Sequence, residues 1–519
     1  MLTAEQIIST EVVLICKCLI QILKCSAANR LTSFWHVSAT EVLPLLIQLW
    51  EKSAEMKNES NRQSSELDDG IVSIVRLLRV FSKLTPAKSY FIGISEGAFL
   101  GKLLVNISVL INEPPTNIMW EYLGFVKDLT FRSGIDDKRT LLQSNKGILF
   151  NILLFSFGQT NGFQEQFQNW CTAVIWNLVL DPLICQLFLS KIIGNKKHVG
   201  NIIVEGLLQV LMQHSTTSKN SELSQKIKRN ATSALGNIVS DSSNHPILFQ
   251  DKREDQIFNL ILQLLVVARE DSDPVIRRRA MRTVRCLACS MGVQSRKFVQ
   301  GKTLSSSLVD ILSQKEMYEN QNDHDVLVQA CQTVIALKES IGVESLIHIQ
   351  TALVQRIEYT TDASIIPATI RCLSECISTE SNCVSPCFSI KFWNNIERSV
   401  SINSKIHAAV SDLLMAIAKL EKRLDLIESR NLSNPSILTK KPVVNAITTM
   451  LSESDTSQEY ARNQSLEIVS ILMENESNKR PLAENDKLLS GLVALCLLQP
   501  GLKTKDSAKN IILQLVPEI

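Results

Sequence analysis

An all-α solenoid of stacked helical repeats is the fold this sequence predicts, on three observations. One apolar helical register recurs at intervals of about fifty residues. Glycine and proline are scarce, 18 and 14 in 519 residues, so helices and not tight β-turns dominate. The chain is also far longer than the roughly 250 to 300 residues at which a single core stops growing, whereas a solenoid extends its core by adding neighbours.

The register is clearest from Asp273 to Ser290 (DPVIRRRAMRTVRCLACS). Asp273 caps a helix, Pro274 sits in the first turn where its missing amide proton costs nothing, and Ile276, Ala280, Val284 and Leu287 share one face. Arg278, Arg282 and Arg285 fall on roughly the opposite face.

Taken in order, the chain opens with MLTAEQIISTEVVLICKCLIQILKC, expected to form a first amphipathic helix because Glu5 and Glu11 stand where a secretory signal carries positive charge. The sequons at Asn58, Asn106, Asn230, Asn431, Asn463 and Asn475 are then expected to be chance matches in an intracellular chain, cytoplasmic and/or nuclear. Five segments follow in one register: GFVKDLT (Gly124 to Thr130), AVIWNLV (Ala173 to Val179), SALGNIV (Ser233 to Val239), RTVRCLA (Arg282 to Ala288) and QTVIALK (Gln332 to Lys338). Their offsets are about 49, 60, 49 and 50 residues. The longer step contains HSTTSKNSELSQ (His214 to Gln225), which reads as an enlarged loop. Beyond, IRCLSECI (Ile370 to Ile377), LLMAIAKL (Leu413 to Leu420), LEIVSILM (Leu466 to Met473) and NIILQLV (Asn510 to Val516) keep the helical period at irregular spacing.

These segments resemble the third helix of armadillo repeats, best where Ala231, Leu235, Asn237 and Ile238, and Ile175, Asn177 and Leu178, match the family's Ala, Leu and Asn-Leu pattern. The resemblance is good from Trp120 to Glu339; elsewhere the Asn is lost and HEAT-like helix pairs fit equally well. It implies a right-handed α-solenoid of armadillo/HEAT-like repeats over residues 1–519, with an N-terminal cap and divergent repeats in 1–110, armadillo-like repeats in 111–340 and divergent HEAT-like repeats in 341–519. The polar interruptions at Glu51 to Gly70, Asp241 to Asp255, Ser452 to Gln458 and Glu474 to Lys487 read as loops or short linkers inside one elongated domain.

In armadillo-like proteins the third helices line a concave groove. The same register places on that groove Trp120, Gly124 and Asp128; Asn169, Ala173 and Asn177; Arg229, Ser233 and Asn237; Arg278, Arg282 and Cys286; and Val328, Gln332 and Ala336. An Asn amide offers a donor and an acceptor to a peptide backbone, and guanidinium groups pair in bidentate fashion with carboxylate or phosphate. Asn177, Arg229, Ser233, Asn237, Arg278, Arg282 and Arg285 are therefore the expected partner-binding residues. The competing reading is that a helix Asn bonds its own chain or the next repeat, and that the arginines form a solvated face paired with Glu270, Asp271 or Asp273. Importin-type receptors for basic signals place a Trp one turn before each Asn; here those positions are Ala173 and Ser233, and Trp176 is expected to point toward the core or the neighbouring repeat.

The expected function is a non-enzymatic scaffold or adaptor that holds an extended partner segment, acidic or phosphorylated. Alternatives are a regulator of a small GTPase, a nuclear transport adaptor of importin-alpha type, or a structural subunit of a larger assembly. A formal net charge of +2, from 54 basic and 52 acidic residues, gives no global field for nucleic acid, and the aromatics are not interleaved with basic residues. The longest apolar runs, such as Leu260 to Ala268, fall short of the roughly 20 residues of a membrane span. No catalytic motif is present, GNKKHVG (Gly194 to Gly200) lacks the ending of a phosphate-binding loop and reads as a plain loop, and no cofactor or metal is expected. Cys372, Cys376, Cys383 and Cys387 deviate from zinc spacing, and the C-x-x-C of Cys286 and Cys289 is attributed to packing, as are most of the 13 cysteines.

Overall fold

A computed structural model describes residues 13–19, 21, 45, 48, 65–83, 117–144, 165–190, 192–193, 197–216, 221–244, 254–291, 302–314, 321–360, 364–378, 388–428, 436–452, 458–497 and 503–518. His36, His245, Cys383, Cys387, the sequons at Asn58, Asn106 and Asn431, and most of the interruptions at Glu51 to Gly70 and Ser452 to Gln458 lie outside them. By its contacts the chain divides into two compact units, Met1–Arg253 and Glu254–Ile519. The division falls inside the polar stretch Asp241 to Asp255.

The first unit contains α1 (Ser65–Ser82), α2 (Asn117–Thr130), α3 (Ile135–Ser144), α4 (Glu165–Leu178), α5 (Pro182–Leu189), α6 (Val199–Thr216) and α7 (Glu222–Ser240). α1, α2, α4 and α7 pack side by side in one row, α6 lies against α7, and α5 bridges α3 and α6. Three of the five aligned segments, Gly124 to Thr130, Ala173 to Val179 and Ser233 to Val239, fall in that row.

The second unit is a regular two-layer stack. One row runs α9 (Pro274–Met291), α11 (Gln321–Leu337), α13 (Ile366–Ser378), α15 (His407–Glu428), α17 (Glu459–Met473) and α20 (Lys503–Leu515). The other runs α8 (Glu254–Glu270), α10 (Lys302–Ser313), α12 (Val343–Tyr359), α14 (Ile390–Ile402), α16 (Lys441–Ser452) and α19 (Asp486–Leu497), each against its partner in the first row. Every aligned segment from Arg282 onward lies in the first row, so the recurrent register marks one layer of an all-α helical-repeat fold. The apolar face explains why. Ile276, Ala280, Val284 and Leu287 are completely buried, and the Asp273 carboxylate caps α9 by accepting from the Val275 amide at 2.9 Å. Asp181 does the same for the Pro-initiated α5, accepting from Leu183 and Ile184.

Three polar stretches depart from the loops expected of them. His214 to Thr216 are the last turn of α6, and Glu222 to Gln225 are helical because Ser221 caps α7 by accepting from the Ser224 amide at 3.0 Å. Within Glu474 to Lys487 a helix, α18 (Glu476–Ala483), forms under an Asn475 cap and buries Asn478, Leu482 and Ala483. Around GNKKHVG a short antiparallel ladder pairs Ile192 with His198 and Ile193 with Lys197, the only strand pairing among the described residues. No single described helix is long and apolar enough to cross a membrane.

The junction of α4, α6 and α7 is locked by a buried histidine. His214 Nε2 donates to Gln168 Oε1 at 2.9 Å, and Nδ1 lies 3.2 Å from Ser224 Oγ. Burial depresses its pKa below the ordinary value; Glu165 opposes the shift and Lys228 adds to it. A depressed folded value means that the stabilisation is complete above the unfolded pKa of about 6.5 and is lost as pH falls from there toward the folded value. The denaturation midpoint of the wild type should therefore drop between pH 7.5 and pH 5 by more than that of His214→Gln, measured by urea unfolding; equal drops would remove His214 from this role.

Candidate functional site

The row α1–α2–α4–α7 carries an open cleft of about 470 Å³ lined by Lys83, Lys127, Asp128, Phe131, Asn169, Ala173, Trp176, Asn177, Lys226 and Asn230. Four of these, Asp128, Asn169, Ala173 and Asn177, are positions the armadillo register assigns to a groove. Lys226 and Asn230 come from the turns of α7 beside Arg229 and Ser233. Lys83 and Lys226 are exposed, and Lys226 pairs with Glu222 at 2.6 Å on the same helix. Lys127 lies 3.2 Å from Asp128, the one acidic lining residue. Trp176, expected to face the core or a neighbour, is instead half-buried in the cleft wall. The helix turns there so that Ile175 and Leu178 take the core positions and Asn177 is buried against α2, which leaves Trp176 on the rim.

At the α1 side of the row, the groove position Gly124 is filled from within the fold. Arg79 crosses the gap: it pairs with Glu121 at 3.1 Å and Asp128 at 3.5 Å, and its guanidinium lies 4.5 Å from the centroid of the Trp170 ring. A Cβ on residue 124 would come within 2.6 Å of Arg79 Nε, so glycine is what admits the arginine. Trp120 then packs edge-on against Trp170 and Phe167.

The two aligned asparagines differ. Asn177 is buried, and its Nδ2 donates to Thr130 Oγ1 at 3.2 Å and the Lys127 carbonyl at 3.4 Å, both on the preceding helix of the row; its own carbonyl accepts from buried Lys138 Nζ at 2.8 Å. Asn237 is half-buried, yet its Nδ2 is shut off from solvent without a hydrogen-bond partner. Arg229 is exposed one turn before Ser233, whose hydroxyl donates to the Arg229 carbonyl at 2.5 Å. Asn230, which the register did not single out, donates to Asn169 Oδ1 at 3.3 Å and so ties α7 to α4 at the cleft.

In the second unit, Arg278 and Asp325 are 3.2 Å apart and each 39% exposed, Arg285 donates to Gln332, and Arg282 is exposed with no ion pair among the described residues. The competing reading looked to Glu270, Asp271 and Asp273; the partners of Arg278 and Arg285 sit on α11. Arg277, unremarked in the sequence, is less exposed, its side chain at 14%: it bonds Asp323 and the Asp271 carbonyl. The signal that would have found these pairs is their spacing, 46 or 47 residues, close to one repeat. Cys331, Cys372 and Cys376 form a buried thiol cluster between α11 and α13. Hydrogen bonds that the neutral Cys372 thiol makes to Cys331 and Cys376, with burial, hold it well above its ordinary range.

No protein-family model matches the chain, and no curated protein matches it in sequence. Among solved structures it is similar to an engineered protein, at 13% identity and a TM-score of 0.36 over 53% of this chain and 98% of the other. It is similar to the designed armadillo repeat protein YIII(Dq)4CqI at 14% identity and a TM-score of 0.36, over 53% and 99%. A third structure, described under a conserved phosphorylation switch that controls the interaction between cadherin and beta-catenin, shares 12% identity and a TM-score of 0.43 over 96% and 100%. At these identities and scores the likenesses add nothing to what the helix packing shows.

The asparagines should respond oppositely to truncation. Asn177→Ala removes a donor from Thr130 and the Lys127 carbonyl and should cost about 1 kcal/mol, whereas Asn237→Ala deletes an unpaired buried donor and should leave stability equal or raise it by about 1 kcal/mol. Thermal and urea unfolding of the two variants beside the wild type decides this, and equal losses would contradict the assignment.

Proposed function

We propose that the chain is a protein-binding scaffold whose first unit holds an extended, acidic segment of a partner in the cleft between α1, α2, α4 and α7. The observation that carries this reading is the composition of the cleft wall: three lysines against one aspartate, three asparagines, and the apolar faces of Trp176 and Phe131. A carboxylate-bearing strand finds charge at the lysines, backbone partners at the side-chain amides, and apolar surface for its intervening side chains. The lysine-lined wall repels the basic signals an import adaptor carries. Compared with the register-based expectation, the amide partners shift from Asn177 and Asn237 to Asn169 and Asn230, because Asn177 is committed to the preceding helix.

Paired fluorescent peptides of equal length, one alternating Glu with Leu and one alternating Lys with Leu, test the reading. The acidic peptide should bind the full chain with an affinity that falls as salt rises, and Lys83→Glu combined with Lys226→Glu should weaken it by about tenfold or more. Arg278→Glu with Arg282→Glu, in the other unit, should leave it unchanged. Preference for the basic peptide, or acidic binding that survives the lysine reversals, would reject the proposal.

A further inference from the structure

The C-x-x-C of α9 shares a face with the helix's arginines. At 3.6 residues per turn, Arg278, Arg282, Arg285, Cys286 and Cys289 fall within an arc of about 100°. Each cysteine has an arginine one turn before it, Arg282 ahead of Cys286 and Arg285 ahead of Cys289, at the i,i+4 spacing that makes side chains neighbours. Packing, the role expected of this pair, does not account for it: Cys289 is exposed and Cys286 half-buried, whereas Cys171, Cys185, Cys331, Cys372 and Cys376 are buried. Arg282 is exposed on the same stripe, and Arg285 is fixed there by its bond to Gln332.

We propose that Cys286 and Cys289 are a reversible redox modification site for anionic low-molecular-weight disulfides of the glutathione type, with the arginines holding the reagent's carboxylates. In the first step the Cys289 thiolate attacks one sulfur of the disulfide. The Cys289–glutathione bond forms, the reagent's S–S bond breaks, and one glutathione thiolate leaves with the electron pair. In the second, Cys286 gives its proton to solvent and attacks Cys289 Sγ; the protein disulfide forms and a second glutathione thiolate leaves. Two protein thiols are oxidised and one low-molecular-weight disulfide is reduced.

Helix geometry permits the second step at this place. Residues three apart have Cα atoms about 5 Å apart, within the 4.4–6.8 Å that disulfides span, but Cβ atoms somewhat wider than a disulfide favours. Closure therefore tightens the local turn, and Cys289 sits in the last turn of α9, which ends at Met291, where carbonyls lack interior partners, with Cys286 one turn before it. Arg282 and Arg285 place guanidinium groups where the carboxylates of the incoming disulfide would lie.

The test uses the full chain with glutathione disulfide and, as an uncharged comparator, bis(2-hydroxyethyl) disulfide, read by intact mass and peptide mapping. Cys18, which is also exposed, serves as the internal reference. The wild type should lose two hydrogens and yield a peptide linking Cys286 to Cys289, while Cys286→Ser should retain a glutathionyl group on Cys289. The rate with glutathione disulfide relative to the uncharged reagent should be about threefold higher at Cys289 than at Cys18, and Arg282→Gln should reduce that advantage. A charge preference no greater at Cys289 than at Cys18, or a mixed disulfide that persists in the wild type without passing to Cys286, would overturn the proposal.

Discussion

The constraint on which this structure depends is the fate of carbonyl groups at helix ends. Each helix leaves its last carbonyls without an internal partner, and stacking shuts many of them away from water. Here side chains from a neighbouring element supply the donors. Lys138 reaches the Asn177 carbonyl at the end of α4, Arg277 the Asp271 carbonyl beyond α8, and Arg356 the Leu312 and Gln314 carbonyls at the end of α10. Asn395 donates to the Ile357 and Glu358 carbonyls that close α12, and Gln350 to the Cys376 carbonyl in α13. A cation there also meets the negative end of the helix dipole. Burial is the penalty such a residue bears: it pushes Arg356 down to about 10, and the guanidinium remains charged at neutral pH.

That constraint sorts the residues of the row. Asn177 stands at a groove register and near a helix end at once, and the helix end prevails: its amide closes the preceding helix. Asn169 and Asn230, farther from their helix ends, meet each other at the cleft surface instead. Arg79 illustrates the same competition from the other side, since the space above Gly124 that a ligand side chain would take is held by an intramolecular cation on Trp170. What is left open lies between these occupied positions, ringed by lysines of which Lys127 pairs with buried Asp128 and Lys226 with solvated Glu222, each on its own helix.

Polar groups in the middle of helices follow a second rule, satisfaction at home. Thr172, Thr232, Thr283 and Thr333, all buried, donate to the carbonyl four residues earlier, as do Ser465 and Thr448. These hydroxyls let small polar residues stand at tightly packed positions without crossing to another repeat. Asn230 and Gln350 depart from that rule, as does the junction at His214, which draws Gln168 and Ser224 from two other helices onto one ring.

The sequence by itself determined the helices, their apolar faces and the layer to which each recurrent segment belongs, because a 3.6-residue period and a fifty-residue repeat are properties of the chain read locally. It also placed Asp273 as a cap and Asp128, Asn169, Ala173 and Asn177 at a common surface. Tertiary structure alone decided which of those side chains remain turned to solvent, since that depends on which carbonyl or carboxylate a neighbour presents about one repeat away. Arg277 and Arg278 are adjacent in the sequence and alike in charge. One, its side chain 14% exposed, is held between Asp323 and a helix end, the other is 39% exposed beside Asp325, and the position of α11 sets them apart.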